Sequence, residues 1–297
     1  MQDNIIRATA GNGTVRVFAA STKNLANRAA ELHRSMPVAT VALGRTLTAA
    51  AIMGATLKND TDILSIDIRG SGPLGGIIAV ADNKSRVKGY TINPLTDIPR
   101  KPNGKTDVSG AIGIGVLTIT KDMGLKEPVS GQVELVSGEI AEDITYYFDV
   151  SEQIPSGVAL GVLVDVDYSV RQAGGLIVQL MPGASEEMIS HIENTWPTLP
   201  PVTTMLDEGK TTEDMLHALF PSHDLQVLET IYPEFYCSCS REKTGVALKS
   251  VGFKELRTIL EEDKGANLHC HFCNSNYEFT EDDVRRMLAE YVQSVLG

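Results

Sequence analysis

Apolar positions in the first 180 residues alternate or cluster in short runs, and most of these runs predict strands. Thr14-Val-Arg-Val-Phe-Ala follows Gly11-Asn-Gly13 and reads as the return strand of a hairpin. Helical spacing comes next, over about 22–33 and about 37–57, the second opened by Pro37 near its first turn. Strand patterns then recur at 62–69, 74–80, 87–92, 115–120, 132–136, 144–149, 161–167 and 176–181. Turn residues separate them, and few gaps are long enough for a crossover helix. An α+β domain is expected, with helices packed on a mixed or antiparallel sheet. The apolar stretch 35–57 is broken by Arg45 and several threonines, so a buried amphipathic helix fits it better than a membrane span.

The texture changes at 183. Short helix patterns at about 186–194, 201–208, 212–219 and 224–231 are separated by prolines, including Pro197, Pro200, Pro201, Pro221 and Pro233. Acidic side chains crowd the helix starts, where the macrodipole favours them. Helices this short depend on tertiary packing. The last 65 residues form a further small unit. Ser240 can cap a helix beginning Arg241-Glu-Lys, and 255–262 suggests a second. Thr280-Glu-Asp-Asp283 outlines a capping box with Asp in place of the usual Glu. It opens a helix with Val284, Met287, Leu288, Tyr291, Val292 and Val295 on one stripe.

Charge sharpens this division. The chain of 297 residues carries a net −12, but residues 1–182 hold 17 basic and 18 acidic side chains. Residues 183–230 hold one basic residue, Lys210, and nine acidic ones; residues 231–297 hold 8 and 11. The middle stretch therefore carries most of the excess, and reads either as an ordinary acidic helical linker between domains or as a segment balanced near the folded–unfolded boundary. Nowhere is there the basic face that a nucleic-acid binder shows. The start of the chain lacks the basic and apolar regions of a signal peptide, so a cytoplasmic protein with no membrane association is expected.

All four cysteines lie near the C-terminus, as Cys237-Ser-Cys239 and Cys270-His-Phe-Cys273, thirty residues apart. Zinc favours tetrahedral thiolate sites, and paired cysteines on tight turns supply two ligands each. A core of about 65 residues is thin, so a metal staple would matter. Residues two apart lie within about 6.6 Å even in an extended strand, inside the disulfide range of about 4.4–6.8 Å. Cys237 and Cys239 can therefore bridge each other, and so can Cys270 and Cys273. Arg241 and Lys243 stand beside the first pair in sequence and would favour thiolate. His269 and His271 flank Cys270, but four thiolates leave zinc no need of them. Spacing alone leaves a silent structural zinc ribbon, a redox switch and a thiol–disulfide oxidoreductase open, although a thioredoxin-like context for the last is missing.

Gly70-Ser-Gly-Pro-Leu-Gly75 matches a dinucleotide fingerprint, yet a strand pattern follows it where a helix is required. It reads as a glycine-rich turn. No nucleotide loop, catalytic triad or carboxylate pair stands out, so no nucleotide cofactor and, apart from the thiol chemistry above, no enzyme activity is expected.

At Phe235-Tyr-Cys-Ser-Cys-Ser-Arg-Glu-Lys243 and Leu268-His-Cys-His-Phe-Cys-Asn-Ser-Asn-Tyr-Glu-Phe279 the chain resembles the redox-regulated heat-shock holdases, the thirty-three-kilodalton chaperonin family. Ala55-Thr-Leu-Lys58, Tyr147-Phe-Asp-Val-Ser-Glu-Gln-Ile-Pro155 and Ala173-Gly-Gly-Leu-Ile-Val-Gln-Leu-Met-Pro182 extend the likeness over essentially the whole chain. The resemblance implies an ATP-independent chaperone with three parts. These are a substrate-binding and dimerisation domain (1–182), a metastable linker (183–232) and a C-terminal zinc-binding redox switch (233–297). One zinc ion per chain is held by Cys237, Cys239, Cys270 and Cys273 in the reduced, inactive form. Oxidation gives the disulfides Cys237–Cys239 and Cys270–Cys273, releases zinc and activates binding of unfolded clients, typically as a homodimer. The linker's own apolar side chains (Met188, Ile189, Ile192, Trp196, Leu199, Met205 and Leu206) are candidates for client contact.

Overall fold

The computed structural model of the chain describes residues 2–221 and 225–296, the last five of these by backbone alone. The fold is α+β, in two compact units, Met1–Tyr236 and Cys237–Gly297.

In the first unit, β1 (Asn4–Ala10) and β2 (Val15–Ser21) make the expected hairpin. Its turn places Gly11, Asn12 and Gly13 at φ of 58°, 54° and 82°, a left-handed run that glycine and asparagine adopt at least cost. Helices α1 (Lys23–His33) and α2 (Pro37–Gly54) follow. Next come β3 (Ile63–Gly70), β4 (Gly76–Asp82), β5 (Arg86–Thr91), α3 (Val108–Ile112), β6 (Gly115–Asp122) and β7 (Val129–Glu134). Then come α4 (Ala141–Val150), β8 (Ser156–Val164) and β9 (Val170–Leu180). The unit closes with α5 (Glu186–Thr195), α6 (Val202–Asp207), α7 (Thr212–Leu219), β10 (Gln226–Ile231) and β11 (Glu234–Phe235). Two sheets result. One is five-stranded and antiparallel, in the order β10-β1-β2-β9-β8. The other is six-stranded, β11-β5-β4-β3-β6-β7, antiparallel except for the β11–β5 pair.

Helix α2 packs on strands of both sheets. It is buried at every position except Pro37 and Arg45, so it lacks the polar face that was expected of it. Among the described residues it is the one helix long and apolar enough to cross a membrane, and 89% of it lies inside the protein, as a core helix does. Two of its buried threonines satisfy themselves on the preceding turn: Thr46 Oγ1 donates to the Ala42 carbonyl (2.9 Å) and Thr48 Oγ1 to that of Gly44 (2.8 Å).

Arg45 is neutralised by a loop residue. Its Nη1 donates to Glu139 Oε2 (2.7 Å), and Lys101 Nζ donates to Oε1 (2.5 Å). Burial pushes the Glu139 carboxyl up, but the bonds from Lys101 and Arg45 outweigh it and hold the group below its ordinary 4.5. A carboxylate depressed in the folded state adds stability that is present above the unfolded value and lost as pH falls below it. Glu139→Gln should therefore cost about 1.5–3 kcal/mol at neutral pH. Wild type should also lose more stability than the variant between about pH 6 and about pH 3. Urea midpoints at the two pH values check this; parallel pH profiles would refute it.

Two elements differ from the sequence expectation. Residues 144–149, rich in β-formers, lie in helix α4. The Asp143 carboxylate accepts from the amides of Val136 (2.8 Å), Ser137 (2.9 Å), Gly138 (3.2 Å) and Ile140 (2.8 Å) and fixes the helix start. Ile144, Tyr147 and Phe148 then share the buried face at helical spacing. The helix expected at about 224–231 is strand β10 over its described part, pairing with β1 from Ile5↔Ile231 to Thr9↔Gln226. His223 and Asp224 lie outside the described residues. The glycine-rich turn is a close backbone interlock. The amides of Ser71 and Gly72 donate to the carbonyls of Ile114 (2.9 Å) and Ile112 (2.8 Å), and a Cβ on Gly72 would sit 2.4 Å from the Ala111 oxygen.

The acidic stretch forms α5, α6 and α7 close to the expected bounds. Ser185 caps α5 by accepting from the Met188 amide (3.2 Å), and Thr211 with Asp214 makes a full capping box on α7. Met188, Ile192, Val202, Met205, Leu206, Met215, Leu216, Leu219 and Phe220 cover Ile6, Ala8, Val15, Val17, Ala19, Leu176 and Val178 on one face of the five-stranded sheet. Four of the side chains expected as candidate client contacts (Met188, Ile192, Met205 and Leu206) are thus buried against that face. The other face packs, with α2, into the main core.

Candidate metal centre

The second unit begins at the first cysteine. It contains α8 (Arg241–Lys249), α9 (Phe253–Thr258) running into a wider turn at Ile259–Asp263, the hairpin β12 (Gly265–His269) and β13 (Asn276–Thr280), and α10 (Glu281–Leu296). Among the described residues its buried apolar side chains are Leu248, Leu256, Phe279, Val284 and Met287, a small core. The caps form as the sequence implied. Ser240 Oγ accepts from the Lys243 amide (3.2 Å), and Thr280 and Asp283 bond reciprocally (2.9 and 3.3 Å).

Cys237 and Cys239 lie in the irregular segment that leads into the Ser240 cap. Cys270 leaves β12, and the chain tightens at once: the Asn274 amide donates to the Cys270 carbonyl (2.8 Å) and the Cys270 amide to that of Ser275 (2.9 Å). This knuckle turns Cys273 back toward Cys270. All four residues are free thiols, and their sulfurs lie within 4.8 Å of one another. Cys237 and Cys270 are 3.7 Å apart, and Cys239 and Cys273 3.2 Å. A regular tetrahedron of Zn–S bonds of about 2.3 Å has edges of about 3.8 Å. The sulfurs present thus fit one four-coordinate ion with no position left open, the arrangement of a structural rather than a catalytic site.

The sulfurs are not equivalent. Burial pushes Cys237 up to about 12 and raises Cys270 as well. Burial also works on Cys273, but the Ser275 hydroxyl (3.3 Å) and amide, with Cys239 and Cys270, outweigh it and bring Cys273 down to about 7. The Tyr277 hydroxyl is 3.0 Å from Cys239 Sγ, and that bond pushes Tyr277 up to about 12. Metal binding must displace thiol protons here, so affinity falls with acid. Arg241, expected to support the thiolates, is engaged instead by Asp283 (2.7 Å), the Glu278 carbonyl (3.2 Å) and the Phe279 ring (4.7 Å). His269 and His271 stack edge to face at 5.2 Å and stand outside the sulfur cluster. Ser275 and Tyr277 were missed from sequence. A serine two residues past the last ligand is the one local hint of either.

The family model described as Hsp33 protein matches residues 3–280. The chain belongs to the Hsp33 family. Relatives named 33 kDa chaperonin include one from Clostridioides difficile, 50% identical over 291 residues (98% of this chain, 100% of the relative). Another, from Acetivibrio thermocellus, is 48% identical over 288 residues, 97% of each chain. The crystal structure of the Thermotoga maritima 33 kDa chaperonin (heat shock protein 33 homolog) superposes with a TM-score of 0.91 at 36% identity, covering 99% of this chain and 100% of that one. Membership in the Hsp33 family makes this a chaperone-family protein with a four-cysteine cluster suited to a metal or to redox chemistry, and its relatives carry chaperonin rather than enzyme names.

Proposed function

We propose that the protein is a redox-regulated, ATP-independent holdase, inactive when reduced and zinc-bound. The observation that carries this is the closed cage of four oxidisable sulfurs in a unit with so small an apolar core. Zinc held by Cys237, Cys239, Cys270 and Cys273 would supply a four-coordinate staple to residues 233–297. The same sulfurs are the oxidant's targets. Forming Cys237–Cys239 and Cys270–Cys273 takes two electrons from each thiolate pair, and one peroxide per disulfide, with two protons from solvent, leaves as two waters. Two short sulfur distances, Cys237–Cys270 and Cys239–Cys273, run across the two motifs. In a cage every edge is short, so proximity does not select the pairing; two-residue and three-residue loops favour closure within each motif.

Disulfides cannot hold zinc as thiolates do, and short loops return little stability. The small unit then unfolds. Residues 183–232 are separated from Cys237 only by β11 and its flanks, and their helices of 10, 6 and 8 residues have little to hold them beyond the sheet face. Their release uncovers Ile6, Ala8, Val17, Leu176 and Val178, together with the apolar faces of the released helices. Contiguous apolar surface of this kind binds unfolding proteins. Residues 1–182 then act as the client-binding and dimerisation domain of a cytoplasmic homodimer.

Treatment with peroxide and mild heat should release one zinc per chain, consume four thiols and confer suppression of client aggregation without ATP. A zinc-chelating dye, a thiol count and light scattering on one sample check it. Equal suppression by the reduced, zinc-loaded protein would refute the switch.

A further inference from the structure

We propose that Met188, Met205 and Met215 are a second set of oxidation sites, whose sulfoxides keep the 183–219 segment off the sheet after the cysteines have been reduced again. This rests on the proposed detachment of that segment. Each of the three helices contributes one methionine to the same apolar layer: Met188 from α5 (5% exposed), Met205 from α6 (4%) and Met215 from α7 (0%). The Met188 methyl reaches the β1–β2 turn, where it would lie 2.9 Å from a Cβ on Gly11.

In the closed state these sulfurs are shielded, and in the detached state they are not. A peroxide then converts the thioether to a sulfoxide. The O–O bond breaks, one oxygen bonds to sulfur, sulfur gives up two electrons and the other oxygen leaves as water. The product no longer fits. A sulfoxide oxygen needs a donor, and the layer is lined by Ile6, Ala8, Val15, Val17, Ala19, Leu176 and Val178. The strands beneath are paired along their length, β1 with β2 and β2 with β9. Among the described polar side chains beside the layer, His191 is already engaged, its Nε2 bonding the Leu219 carbonyl (2.7 Å). A buried polar group without a partner opposes docking. Thiol reduction and zinc restore the cysteine unit but leave the sulfoxides, which need their own reductases. The exposed state would therefore outlast the thiol signal.

The full-length protein is exposed to peroxide at mild heat, returned to dithiothreitol and zinc, and examined by peptide mass mapping, limited proteolysis of 183–219 and apolar-dye binding. Wild type should carry one added oxygen at each of the three residues. It should stay cleavable several-fold faster than untreated protein and regain protection with methionine sulfoxide reductases. The volume-conserving triple variant M188L/M205L/M215L should close on thiol reduction alone. Without any oxidant, M205Q/M215Q should be cleaved several-fold faster than wild type. The inference is overturned if sulfoxide-bearing wild type closes as fully as the leucine variant, if the three residues stay unmodified, or if M205Q/M215Q is as protected as wild type. Protection of 183–219 throughout, with all four cysteines in disulfides, would instead sink the proposed switch; the glutamine arm needs no oxidant and still decides the methionine proposal.

Discussion

Cys273→Ser should abolish stoichiometric zinc binding and unfold residues 237–297, leaving the core of residues 1–182 intact. Zinc binding by thiolate cages contributes about 10–16 kcal/mol at neutral pH, and in small domains that is folding free energy. A core of this size supplies no more than about 3–5 kcal/mol by itself. The five buried apolar side chains among the unit's described residues fit that limit. Losing one of four ligands therefore exceeds what packing can offset. Cys273 is the position of choice because Ser275 and the knuckle already favour its thiolate, so a hydroxyl there forfeits the readiest ligand. Metal analysis with limited proteolysis of reduced protein measures the effect. His271→Ala should keep one zinc, because the imidazole stands outside the sulfur cluster. A Cys273→Ser protein that stays protease-resistant without metal would show that the cage is not the staple.

Leu216→Ala should produce a chaperone that works while reduced and zinc-loaded. Leu216 is fully buried where α7 meets the sheet. Truncating a buried leucine costs about 2–5 kcal/mol. That loss falls on a short helix whose main support is this layer, so the segment's opening is favoured by several powers of ten at the upper end of that range. Zinc content should be unchanged, dye binding should rise and client aggregation should be suppressed without oxidant. Ile119→Ala, in the main core on the other side of the sheets, provides the control. It should lower overall stability by a similar amount without activating the reduced protein. If both variants lose stability and neither is active when reduced, the sheet face under α5–α7 is not the surface that matters.

Much of this was legible beforehand because the signals were local. The capping residues Ser185, Thr211, Ser240 and Thr280 act within three positions of themselves, and α5, α7, α8 and α10 start where they stand. Strands β2 to β6 followed from alternation and turn residues in the same way. Failures came where a distant partner decided the outcome. The Val227-Leu228 run has helix-compatible spacing, but the open edge of β1 takes it as strand β10. The run Ile144-Thr-Tyr-Tyr-Phe favours a strand by propensity, yet Asp143 gathers four amides and turns it into a helix.

The amino-acid sequence by itself determined the donor set, because four thiols in two tight spacings carry their ligand chemistry wherever the chain goes. It also determined the acidic, proline-broken character of 183–232, since charge density and helix caps are properties of neighbours along the chain. Only the tertiary structure decided that α2 is buried all round, that Ser275 and Tyr277 attend the sulfurs while Arg241 turns to Asp283, and that three methionines meet on one sheet face. Each of these depends on groups brought together across long stretches of sequence, where packing and hydrogen bonding outweigh any local preference.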